Sequence, residues 1–189
     1  MYHKQELREI LDELLNQKIQ DVHYYSNYGQ LQVFDQIRDI RHIPFLGLQL
    51  TTISGVTFSI DEFDCSEYNG LGGFIVESSK DINPTGLPDQ INEKHWKRYN
   101  DAKIVSWEVF EFHYPSKNVN IPSGICFGFE NGEVLYIVNS DIDVYDVYNH
   151  SYSYIAGQNF VLFFTKKALI KYSPFGGMKS AMQSANFLQ

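Results

Sequence analysis

The chain has 189 residues, 43% of them apolar and 20% charged, and a formal net charge of −8. That length suits one domain with an ordinary soluble core. The acidic balance argues against a nucleic-acid footprint and against docking on anionic membrane, and leaves plain solubility or a basic protein partner.

The first element is clear. Leu7, Ile10, Leu11, Leu14 and Leu15 follow helical spacing, with Lys4, Glu6, Arg8, Glu9, Asp12 and Glu13 on the other face. Val22 and Tyr24 then alternate with polar residues as in a short strand. Leu31, Phe34, Ile37 and Ile40 recur every three residues, which predicts a second helix stopping before Pro44. A strand through Leu31 and Val33 is the alternative.

From Leu46 the period becomes two. Leu46, Leu48 and Leu50 form one apolar face, and Val56, Phe58 and Ile60 another, with a tight turn at Ser54-Gly55. Gly73 to Glu77 is a further short strand. Ser78 to Ala102 starts as a loop with Asn83-Pro84, Gly86 and Pro88, and His95 to Tyr99 suits a helical turn. Ile104 to His113 alternates again. Pro115 and Pro122 bracket a turn. Ile125, Phe127 and Phe129 then alternate on one strand, and Val134, Tyr136 and Val138 oppose Leu135 and Ile137 on the next, across Asn131-Gly132, a pair that favours a type I′ hairpin with two positive-φ residues. Phe160 to Phe164 is apolar at every position, as in an interior strand. Thr165 suits the cap of a short helix through Ile170. The tail from Ser173 reads as loosely packed, with room for a short helix from Met178.

These elements predict an α+β fold, a mostly antiparallel β-sheet with N-terminal helices packed on one face. One domain is expected over 1–189, with a helical unit at 1–43, a sheet region at 44–172 and a tail at 173–189. The charged amphipathic N-terminus has no apolar signal core, and the longest apolar run is too short to span a bilayer, so a cytoplasmic protein is expected. Cys65 and Cys126 then read as reduced, partly buried thiols, with a disulfide as the alternative.

Recognised catalytic spacings are missing: no nucleophile elbow, no phosphate-cradling loop and no His-Glu-x-x-His. Asn69-Gly70-Leu71-Gly72-Gly73 precedes a strand, so it lacks the helix N-terminus an anion needs. No His pairs with another at metal-ligand spacing. Glu111 and His113 share a strand face. Asp141 onward superficially resembles a calcium loop, but Asp146 stands where the glycine should be and Tyr152 where the last carboxylate should be. Neither a metal nor a cofactor is expected.

What remains is charge beside tyrosine. Glu130, Glu133, Asp141, Asp143 and Asp146 lie in seventeen residues without Lys or Arg, with Tyr145, Tyr148, Tyr152 and Tyr154 interleaved or following. Asp61, Glu62, Asp64 and Glu67 form a second such stretch, ending at Tyr68. Tyrosine gives amphipathic contact area at low entropic cost, and carboxylates beside it steer a basic partner. Each stretch alone also fits a solvated loop whose rings pack on the sheet.

Gly124-Ile-Cys-Phe-Gly-Phe-Glu-Asn-Gly132, then Leu135-Tyr-Ile-Val-Asn139, then acidic residues, then Phe160-Val-Leu-Phe-Phe164 resembles small bacterial immunity-type proteins that accompany polymorphic toxins. The resemblance implies a stoichiometric inhibitor of a cognate toxin domain, without turnover. The expected contact residues are Asp141, Asp143, Tyr145, Asp146 and Tyr148, with Asp61, Glu62 and Asp64 second. Other classes stay open. One is a small-ligand or glycan module with Trp96, Trp107 and Tyr rings along a groove. Another is an enzyme using Cys126, or His113 with Glu111. A third is a subunit of a larger assembly.

Overall fold

The computed structural model of the chain describes residues 4–25, 32–36, 39–43, 47–62, 74–78, 95–114, 118–140, 159–168 and 178–184. In chain order the elements are α1 (Lys4–Glu13), β1 (Ile19–Tyr25), β2 (Gln32–Gln36), β3 (Asp39–Ile43), β4 (Gly47–Thr52), β5 (Thr57–Glu62), β6 (Phe74–Ser78), β7 (Ile104–Tyr114), β8 (Val119–Phe129), β9 (Val134–Ser140), β10 (Asn159–Phe163) and β11 (Met178–Gln183). They form a four-stranded sheet, β1-β4-β5-β6, and a seven-stranded sheet, β11-β7-β8-β9-β10-β3-β2. Every pairing is antiparallel.

Both sheets feed one apolar core. Val22, Tyr24, Leu48, Leu50, Phe58 and Ile60 enter it from the smaller sheet. Trp107, Val109, Ile125, Phe127, Leu135, Ile137, Phe160 and Leu162 enter from the larger. The two-residue alternation read from the sequence brings each set to one face. A register shift after Ile104 moves that residue into the core beside Trp107, where strict alternation would have put it on the opposite face. In β10, Phe160, Val161, Leu162 and Phe163 are all buried, as an interior strand requires.

In α1 the residues Leu7, Leu11 and Leu14 are buried in the same core. Its polar side is also engaged. Arg8 lies 6.0 Å from the Trp107 ring, and Asp12 Oδ1 accepts the Trp107 Nε1–H at 2.9 Å. Asn16 then takes a left-handed φ of 64°, which Asn tolerates. Its N–H donates to Ile104 O at 2.8 Å, and Ile104 N–H donates back to Gln17 O at 2.9 Å. The exit of the helix is thus tied to the start of β7.

Four expectations are corrected. Residues 32–36 and 39–43 are strands rather than a helix: β2 and β3 pair with Phe34 opposite Arg41 and Val33 opposite His42. The three-residue apolar spacing loses to tertiary pairing, because β3 also extends the larger sheet through Leu162 and Phe163 of β10. Pro122 lies inside β8 rather than bounding a turn, next to a register shift, where a strand tolerates a missing N–H. The Asn131-Gly132 hairpin forms, but only Gly132 has positive φ, at 82°. Gly132 N–H bonds Phe129 O and Phe129 N–H bonds Glu133 O, both at 2.9 Å, which makes a three-residue loop with a glycine bulge rather than a type I′ turn. Gly55, also at 82°, closes the β4–β5 hairpin in the same way, with Gly55 N–H on Thr52 O.

The fourth correction is the tail. Residues 178–183 form β11, an edge strand on β7. Just beyond it, buried Ser184 accepts the Trp107 N–H on Oγ at 3.1 Å and donates its own N–H to Trp107 O at 2.9 Å. Thr165 does cap the turn that follows β10, its Oγ1 accepting Ala168 N–H at 3.1 Å.

Candidate functional site

The two sheets are joined by a buried polar chain. Trp96 Nε1–H donates to Tyr24 Oη at 2.7 Å, and Tyr24 Oη lies 2.5 Å from His42 Nδ1. Trp96, Tyr24 and His42 belong to the 95–100 turn, to β1 and to β3. All three are buried, as is His95, whose ring meets His42 edge-on at 5.0 Å. Phe164 packs on His42 at 4.5 Å and on Trp96 at 5.3 Å. Burial holds the Tyr24 hydroxyl well above the usual phenol range, against a smaller lowering by the Trp96 bond, so it stays protonated.

The turn carrying His95 and Trp96 is fixed from outside as well. Asn131 Nδ2 donates to Arg98 O at 2.9 Å, Arg98 Nη1 donates to Phe164 O at 3.2 Å, and Tyr99 Oη donates to Val134 O at 2.9 Å. The Asn-Gly loop and the end of β10 therefore position Trp96 over Tyr24.

Register relates this cluster to the acidic stretches. Tyr24 faces Leu48, Leu48 faces Ile60, and two residues past Ile60 comes Glu62, paired with Phe74. His42 faces Leu162, Leu162 faces Ile137, and three residues before Leu162 comes Asn159, paired with Ser140. Segments 63–73 and 141–158 are thus the connections of two antiparallel hairpins. At about 3.4 Å per residue their roots lie about 7 and 10 Å along the strands from the rows that Tyr24 and His42 join.

Asp61 and Glu62 are the last residues of β5, opposite Gly47 of β4 and Ile75 and Phe74 of β6. Asp64, Asp141, Asp143, Tyr145, Asp146 and Tyr148 lie outside the described residues. Glu130 and Glu133, adjacent to them in sequence, sit at the opposite end of β9. There Glu130 Oε1 accepts Lys103 N–H at 3.0 Å and Glu133 lies 3.5 Å from Arg98. The buried Tyr24–His42 cluster escaped the sequence reading because its members are 18 and 72 residues apart along the chain.

The residues named for other chemistries have structural surroundings. Trp96 and Trp107 are buried. His113 Nδ1 is 2.8 Å from Asn120 Oδ1 at the surface, whereas Glu111, two residues earlier, is buried. Cys126 is a free, buried thiol. Burial and then the Glu108 charge push it up to about 12, a bond to Tyr136 opposing them, so almost none is thiolate at neutral pH. Tyr136 is likewise pushed up to about 12, first by burial. Both folded groups hold their protons more tightly than the unfolded chain does. Their stabilising contribution is whole below pH 9 and is lost as pH rises toward 12. The urea midpoint should therefore fall between pH 8 and 10.5, and Cys126→Ala should flatten that fall.

Among the described residues no group of His, Cys, Asp and Glu could hold a metal ion, and no helix is long and apolar enough to cross a membrane. No family model, curated protein or solved structure gives a significant match to this chain.

Proposed function

We propose that the chain is a non-catalytic, acidic protein-binding module whose partner is a basic protein. The observation behind this reading is the placement of the two acidic stretches. Both connect adjacent strands, both are free of Lys and Arg, and each starts two or three residues along the strands from a row that Tyr24 or His42 joins. Connections carried by a rigid sheet are where proteins most often place recognition. Clustered carboxylates raise the encounter rate with a cationic surface, and neighbouring tyrosines add contact area once it docks. The resemblance to immunity-type proteins specifies the partner further, as a cognate toxin domain with a basic cleft. The raised thiol of Cys126 speaks against the competing reading of a cysteine nucleophile at that position.

The test is charge reversal. Asp141→Lys with Asp143→Lys should weaken binding of the basic partner at least tenfold at about 0.1 M salt, and less at high salt, where screening already removes the steering. Thermal stability should barely change. A collapse of stability would instead make these carboxylates structural and the site wrong.

A further inference from the structure

We infer that the Trp96–Tyr24–His42 chain is a one-way hydrogen-bond lock that holds the two sheets in a single register at the roots of the acidic connections. The direction of the first link follows from chemistry. The indole Nε1–H of Trp96 can only donate, so Tyr24 Oη accepts it at 2.7 Å. The one hydroxyl proton of Tyr24 is retained, and the lock gives it to His42 Nδ1, 2.5 Å from Tyr24 Oη. In this arrangement His42 accepts at Nδ1 and carries its proton on Nε2. Each member comes from a different part of the fold: the 95–100 turn, the smaller sheet and the larger sheet.

Apolar packing fixes the faces by shape. A buried hydrogen-bond chain adds a penalty of its own, since any shift leaves polar groups unmatched in a low-dielectric interior. His95, Tyr99 and Phe164 also place their rings against the lock. Arg98, two residues past Trp96, is directed to Phe164 O and Glu133. The lock is a property of the fold and holds whether or not the connections bind a partner.

Two measurements on the full chain test it. The imidazole ¹⁵N shifts of His42 should show an unprotonated, hydrogen-bonded Nδ1 and a protonated Nε2; the opposite tautomer would overturn the donor order. Hydrogen exchange should then be compared between Tyr24→Phe and Trp107→Phe, the second serving as a core variant away from the lock. Tyr24→Phe should speed exchange of the amides in β3 and β4, and at Glu62 and Asn159, at least tenfold more than those in β7 and β8. Trp107→Phe should not show this bias. The same exchange pattern in both variants would mean that Tyr24 stabilises the whole fold without locking the sheets, and the inference would fail.

Discussion

Tyr24→Phe should lower the folding free energy by about 2–4 kcal/mol, although it removes a single oxygen atom. The ring stays, so packing against His42 and Trp96 is kept. What is lost is the described acceptor of Trp96 Nε1–H and the partner of His42 Nδ1. A buried polar group stripped of its partner costs about 1–3 kcal/mol, and here two are stripped together. Trp96→Phe in the Tyr24→Phe background should then add much less than it does alone, because the indole N–H it removes is already orphaned. Urea unfolding of the two single variants and the double variant gives the coupling. Strict additivity would show that the bond contributes nothing of its own.

Trp107→Ala should be the most damaging simple truncation, at about 3–5 kcal/mol. Trp107 is wholly buried at the meeting point of three elements. Its indole N–H holds Asp12 of α1, its backbone exchanges two hydrogen bonds with Ser184 beyond β11, and Arg8 stacks near its ring. Trp107→Phe fills most of the space and loses chiefly the bond to Asp12, so its cost should be about 1–2 kcal/mol. Chemical unfolding of both variants checks the ordering. Equal costs would show that the Asp12 bond, and not ring volume, dominates.

Sheet elements with unbroken alternation were legible from local pattern. The strands through Leu48, Phe58, Val109, Phe127 and Ile137 lie where period-two spacing puts them, and α1 follows its leucines. The failures have a common physical cause, in that long-range pairing overrode local preference. The apolar residues of 32–43 fit a helix locally, but β3 gains a partner in β10, more than a hundred residues away. The tail had no strong pattern, yet β11 gains the free edge of β7. The Asn-Gly loop was right in place and wrong in type because a turn is set by loop length and register as well as by residue identity. The acidic stretches were legible as composition. That both are hairpin connections, each starting two or three residues along the strands from a row joined by Tyr24 or His42, was not, since only the pairing register reveals it.

The central claim is that this acidic chain binds a basic protein. It predicts that the gene lies beside one for a large secreted protein ending in a compact basic domain. Titration calorimetry of that domain with the full chain, at low and high salt, is the direct measurement. The account predicts a one-to-one complex that weakens as salt rises and is weakened further by Asp141→Lys with Asp143→Lys. Absence of a complex with that domain, or neighbouring genes that encode only metabolic or transport proteins, would contradict it.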